Sequence, residues 1–229
     1  MTTDADLDRI YGHRFGDAET RAKDGVWREI TAYLQRWVPA DGRVLDIACD
    51  AGYFIRNIEA AERWATDVRD VSARLGPDVH FVQVDATNLT SAVPGGVFDV
   101  AFVSNYLEHL ADSDTVIRQL AQIRSVLKPD GRLIVLQPNI RYVGAAYWDF
   151  IDHRVALTER SLVEAARAAG FEVETLIPRF LPYSTKGRLP RSPWLVRAYM
   201  NFPLAWRLMG KQTLLIAHPV DSPAAVRAF

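Results

Sequence analysis

Three carboxylates in this 229-residue chain each fall at the end of an apolar run: Asp46 closing RVLDI, Asp67 after ERWAT and Asp85 after VHFVQV. Between Ala48 and Gly52 lies a small-residue loop, Ala-Cys-Asp-Ala-Gly, in a frame where a cofactor loop usually reads Gly-x-Gly-x-Gly. Two further groups could move protons. Glu108-His109 stands in SNYLEHL, and Asp149, Asp152 and His153 stand in YWDFIDHR beside Tyr142, Tyr147 and Trp148. A histidine with a neighbouring carboxylate can act as a base and its orienter. His109 reads equally well as a structural histidine, and the second cluster equally well as aromatics packed on a core with acids capping a helix. Asp149, Asp152 and His153 also form a candidate metal set, with Mg²⁺ the ion in view.

The loop says which cofactor fits. A dinucleotide pyrophosphate asks for Gly-x-Gly-x-x-Gly and an electropositive helix start, and Asp50 would repel a phosphate. S-adenosylmethionine (SAM) carries a sulfonium and an ammonium and no phosphate, so acids near it help. Asp67 can accept both ribose hydroxyls. Asp85 can accept from the adenine amino group while the Ala86 N–H donates to the ring, and Asp46 can reach the ammonium through water. Asp tolerates left-handed backbone angles better than most residues, so Asp50 is expected to keep the loop's shape, and Gly52 to keep the helix start open. Near the N-terminus, Tyr11, Arg14 and Phe15 are candidates for a lid over SAM, with Arg14 or Lys23 meeting the cofactor carboxylate. His13 is a weaker catalytic candidate than His109 or His153, and His80, His218 and Cys49 read as structural.

The elements that must position these groups alternate. Strands are expected at 43–47, 62–66, 79–84, 97–104, 131–137, 171–177 and 212–219. Helices are expected at 26–38, 52–61, 68–76, 112–128 with Ser113 as cap and Pro129-Asp130-Gly131 as stop, and 158–170 with Thr158 as cap. The fold class this implies is α/β: a doubly wound, seven-stranded Rossmann-like sheet with a reversed last strand. The chain reads as a single domain. Residues 1–42 form a helical N-terminal lid, 43–177 with 212–219 the core, and 178–211 an insertion before the last strand. A simple hairpin would need far fewer residues there, so the insertion is expected to be functional.

These motifs resemble the class I SAM-dependent methyltransferases. VLDIACDAGYF, the WATD step, VQVDATNL, FDVAFVSNYLEHL and LKPDGRLIVLQPN carry the resemblance over residues 43–139. It implies that Asp46, Ala48, Gly52, Tyr53, Asp67, Asp85, Ala86 and Asn105 line the cofactor. It also implies that Glu108-His109 faces SAM, that residues 141–158 cover the substrate, and that the last two strands form the terminal hairpin. Ala48 and Asp50 depart from the family pattern and leave a non-catalytic SAM-fold interaction module as a rival. NIRYVGAAYWDFIDHRVALTERSLVEAARAAGF with RFLPYSTK is similar, more narrowly, to bacterial polysaccharide sugar O-methyltransferases such as those of mycobacterial methylmannose polysaccharides. That similarity implies a sugar or oligosaccharide hydroxyl as acceptor, with Mg²⁺ as an additional cofactor. A small amine, a carboxylate or a lipid-linked acceptor is the alternative.

Composition sets the outer limits. With one cysteine the chain holds no disulfide framework or thiolate cluster of its own, which fits a cytoplasmic protein. A net charge of −1 gives no general case for nucleic acid, and no catalytic Pro-Pro-Tyr/Phe follows the fourth strand. No run reaches the ~18 apolar residues of a membrane span. Yet between Thr175 and Val220 there are seven Arg or Lys and no Asp or Glu, interleaved with Phe180, Tyr183, Trp194, Tyr199, Phe202 and Trp206. This segment suits an acceptor groove, a homodimer face or an anionic lipid surface.

Overall fold

The computed structural model describes residues 17–183 and 192–220, with side chains from residue 23 onward. Seven strands form one sheet: β1 Arg43–Ile47, β2 Glu62–Asp67, β3 Val79–Gln83, β4 Phe98–Ser104, β5 Leu127–Pro138, β6 Phe171–Leu181 and β7 Gln212–Pro219. Their spatial order is β3-β2-β1-β4-β5-β7-β6. The first five pair in parallel, and β7 runs antiparallel to both β5 and β6. The expected α/β sheet with its reversed last strand is what the chain adopts.

Alternation along the strands sends side chains to two cores. Leu45 and Ile47 of β1, with Ala101 and Val103 of β4, meet α4 (Ser113–Val126) and α6 (Glu159–Ala168). Val44, Val100, Phe102 and Ile134 face the other way. They meet α1 (Asp17–Leu34), α2 (Tyr53–Asn57), α3 (Ser72–Leu75) and the helices α7 (Pro193–Met200) and α8 (Pro203–Met209). A one-turn helix, α5 (Ile140–Val143), follows β5.

Several boundaries differ from expectation, for local reasons. The helix expected over 52–61 stops at Asn57, because Ile58 turns extended and Ala61 and Glu62 donate to the Gly42 carbonyl as β2 begins. The cap of α4 is Asp112, not Ser113. Its backbone is extended and its carboxylate accepts the Thr115 N–H at 2.7 Å. Pro129-Asp130-Gly131 does not stop that helix, which has already ended at Val126. It lies inside β5 as an irregularity between the pairs Phe98–Leu127 and Val100–Arg132. A Cβ on Gly131 would come within 2.9 Å of the Phe98 carbonyl oxygen. The sixth strand outlasts its expected end at residue 177 because it is the sheet edge, where Pro178 costs no ladder bond. Thr158 caps α6 as expected, in a capping box with Ser161.

Candidate active site

The carboxyl ends of β1, β2 and β4 meet at the loop 48–52, where a doubly wound sheet binds its ligands. All three positions of the usual glycine frame hold positive φ: Ala48 at 55°, Asp50 at 48° and Gly52 at 65°. The loop keeps its glycine shape with one glycine left. At Gly52 a Cβ would add to the left-handed strain a contact of 2.1 Å with Leu75 Cδ2, so a larger residue there would have to push the Leu75 side chain aside.

Asp50 contributes more than tolerance of that conformation. Its N–H donates to Asp67 Oδ2 at 2.9 Å. Arg69 then bridges both acids, with Nη2 2.7 Å from Asp50 Oδ1 and Nε 3.2 Å from Asp67 Oδ1. Burial alone would lower the Arg69 pKa, but bonding to Asp50 and the charges of Asp67 and Asp50 raise it overall. Sequence reading missed Arg69, whose signal was its place two residues beyond a strand-end acid.

Asp46 is buried on the α1/α2 face. Burial pushes its carboxyl well up, the Ile55 N–H works against that, and Asp67 and Asp50 push it further. Tyr53 opens α2 and stacks on Trp27 of α1 at 6.4 Å. Asp85 is exposed and caps the 3₁₀ turn Ala86–Ser91, accepting Thr87 N–H and Oγ1–H on one oxygen, Oδ1. Asn105 follows β4 with φ 49° and donates its N–H to the Leu136 carbonyl. Burial pushes the Cys49 thiol up, which suits an inert packing residue. Arg14, with Tyr11, His13 and Phe15, lies outside the described residues.

The two proton-handling groups, separate in the sequence, form one cluster. Residues 144–157 fold back so that the Arg154 and Val155 N–H groups donate to the Glu108 carbonyl at 2.7 and 3.1 Å. The Tyr147 hydroxyl donates to the Val155 carbonyl and fastens the fold-back. This brings the His153 ring 5.1 Å from that of His109, between Tyr147 at 4.6 Å and Phe150 at 5.0 Å. His109 Nδ1 lies 3.1 Å from the Asp152 backbone oxygen and 3.5 Å from its Oδ2. Glu108 is 1% exposed and accepts Gln137 Nε2–H at 2.9 Å. Burial pushes its carboxyl up, with His109 and Gln137 acting the other way. Gln137, at the end of β5, was not anticipated; its polar side chain in the run LIVLQP was the available signal.

Among the described residues, the metal-competent group is Glu108, His109 and His153, whose donor atoms lie within 4.8 Å of one another. The expected set of Asp149, Asp152 and His153 is therefore revised. Asp149 is exposed on the outer side of the turn, and Asp152 turns its backbone and carboxylate to His109. Two imidazoles and one carboxylate suit borderline transition ions better than the all-oxygen shell Mg²⁺ prefers.

A seven-stranded sheet of this order, with a glycine-shaped loop and strand-end acids, defines a Rossmann-like SAM-dependent methyltransferase fold. The chain belongs to the methyltransferase-domain family, whose model matches residues 19–176. It is 28% identical over 136 residues to a demethylmenaquinone methyltransferase of Mycolicibacterium vanbaalenii, covering 56% of this chain and 57% of the relative. It is 31% identical over 140 residues to a ubiquinone/menaquinone biosynthesis C-methyltransferase of Azotobacter vinelandii, covering 53% of each. The chain thus spans about half the length of these relatives. A SAM-dependent methyltransferase from Archaeoglobus fulgidus superposes with a TM-score of 0.59 at 20% identity, over 83% of this chain and 94% of that one. The family and the fold are thus those of SAM-dependent methyltransferase domains. No helix among the described residues is long and apolar enough to cross a membrane.

Proposed function

We propose that the protein transfers a methyl group from SAM to a hydroxyl of a sugar or oligosaccharide, and that the hydroxyl proton leaves at the Glu108–His109–His153 cluster. The observation that carries this reading is the convergence of two histidines and a buried carboxylate beside the end of β4. A hydroxyl is a weak nucleophile towards a sulfonium and needs its proton taken as the bond forms. The Asp152 carbonyl accepts from His109 Nδ1, which leaves Nε2 as the basic nitrogen of the neutral ring. On the cofactor side, Asp67 takes the ribose and Asp85 the adenine, through the oxygen that does not bind Thr87. Asp46, Ala48, Gly52, Tyr53, Ala86 and Asn105 complete the lining, and Arg14 meets the carboxylate. The sugar acceptor rests on the resemblance of residues 139–186 to polysaccharide methyltransferases. The test is transfer of labelled methyl from SAM to a panel of mono- and oligosaccharides. Transfer to none of them, with transfer to a prenylated quinol, sinks the sugar assignment.

A lipid-linked acceptor, such as a quinol or a polyprenyl-linked sugar, is favoured by a different observation. Trp194 on α7, Leu204, Leu208 and Met209 on α8, and Phe202 between the two helices are 38–80% exposed, on helices that also carry Arg197 and Arg207. Apolar side chains with arginines suit an anionic lipid surface, and the relatives' names refer to quinone biosynthesis. Co-sedimentation with phosphatidylglycerol vesicles that fails in high salt and in Leu208→Glu supports this acceptor class. No binding to any vesicle removes it.

A further inference from the structure

His109 and Glu108 have a more specific arrangement than a base requires. Both acceptors at His109 Nδ1, the Asp152 carbonyl and its Oδ2, lie on the same ring nitrogen. In the neutral ring the hydrogen therefore sits on Nδ1 and the lone pair on Nε2. That lone pair faces Glu108 Oε1 at 3.9 Å, beyond hydrogen-bonding reach. Around one first-row ion, with bonds of about 2.1 Å, neighbouring donors sit roughly 3.0–3.4 Å apart, so a small contraction places both atoms on one ion. Glu108 Oε2 is already held by Gln137 Nε2 at 2.9 Å, and the Asp152 carbonyl holds the rear of the His109 ring. A ligand carboxylate that is itself hydrogen-bonded, and a histidine donating its far N–H to a carbonyl, are the usual outer shell of a metal site.

We propose that Glu108, His109 and His153 bind one borderline divalent cation, of the Zn²⁺, Mn²⁺, Fe²⁺ or Co²⁺ class, with coordination positions left for an acceptor oxygen. This rests on the reading of the cluster as the place where the acceptor loses its proton, and it changes how. With the three lone pairs on the ion none of these groups would be the base, and the ion would instead hold the acceptor oxygen and acidify its hydroxyl, whose proton would pass to water. Three protein ligands of this type leave a borderline ion open to an exogenous oxygen. An acceptor with two neighbouring oxygens, as in a vicinal diol or a catechol, would chelate it.

The full-length chain, dialysed against chelator, would be titrated with Co²⁺ and followed by visible absorption. The expected result is saturation at one equivalent. Glu108→Gln and His153→Asn should bind at least tenfold more weakly, Gln137→Leu about tenfold more weakly, and His80→Ala as the wild type. Circular dichroism and SAM binding check that each variant folds. Should the cluster variants not fold, Cu²⁺ bound to the wild type gives the answer through its nitrogen hyperfine pattern, where two imidazoles are expected. No saturable signal, a signal unchanged in the folded cluster variants, or a pattern without imidazole overturns the proposal. Methyl transfer that persists in protein binding no metal also overturns it, and leaves the base reading standing. A bound ion in a protein that methylates no hydroxyl overturns the acceptor reading and leaves the cation site standing.

Discussion

Around the loop 48–52, the bonds that matter join residues 17 and 19 positions apart across two adjacent strands, Asp50 with Asp67 and Arg69 with Asp50. At the other centre, His109 meets Asp152 from 43 positions away, through a segment that leaves the sheet and returns. The first centre is fixed by strand register and a loop conformation. The second depends on a fold-back fastened by Tyr147 and by two N–H groups on the Glu108 carbonyl. The two should therefore fail differently: one through cofactor affinity, the other through turnover.

The largest effect is expected at the fold-back. His153→Ala should cut turnover about a hundredfold or more while SAM affinity, measured by calorimetry, stays at the wild-type value. A parallel loss of SAM affinity would show that the two centres are not separable.

Asp67→Ala should act the opposite way, weakening SAM binding by more than about tenfold through lost bonds to a charged acceptor. The carboxylate also receives Asp50 N–H, Arg69 N–H and Arg69 Nε–H, so the loop loses its anchor with the ribose ligand. Unchanged affinity would remove Asp67 from the ribose.

The same contrast explains what the sequence made legible. Strand ends, acids and the reversed hairpin follow from period-two patterning and short-range spacing, and the sheet has those strands in that arrangement. The glycine-shaped loop was legible because Asp50 and Ala48 occupy known glycine positions. The ion pair that explains Asp50 was not, because Arg69 read as part of a helix over 68–76, whereas the helix begins at Ser72. Likewise Glu108-His109 and His153 were visible as two candidates. Nothing in their spacing showed one cluster, since that depends on where Tyr147 docks. Asp149 looked equivalent to Asp152 in the sequence; a 3₁₀ turn over Gly144–Asp149 leaves it exposed.

Glu108→Gln tests the electrostatics of the second centre through stability. Burial raises the folded-state pKa above its ordinary value of about 4.3. Below that value the carboxyl is protonated in both states, so wild type and variant should differ little. As pH rises through the ordinary value towards the folded one, the unfolded chain ionises first and the wild type loses stability, at about 1.4 kcal/mol per unit of pKa difference. The variant's advantage should grow over that window and then level off. An advantage that does not change between pH 4 and 8 would mean that Glu108 ionises in the fold as freely as outside it.

The smallest effect separates the two substituted positions of the loop. Ala48 at φ 55° bears the left-handed cost of a Cβ, roughly 1 kcal/mol or more. Ala48→Gly removes that cost but gives back about 0.4–1 kcal/mol of unfolded-chain freedom. The net change should be a small gain, up to about 1 kcal/mol, read as a higher urea midpoint. Asp50→Gly relieves less, because Asp tolerates this conformation better, and it breaks the partly exposed pair with Arg69, a pair of a kind worth about 0–1 kcal/mol. Its midpoint should stay level or fall. If Asp50→Gly stabilised the protein more than Ala48→Gly, the pair with Arg69 would not be what offsets the strain at Asp50. The loop would then owe its shape to strand register alone.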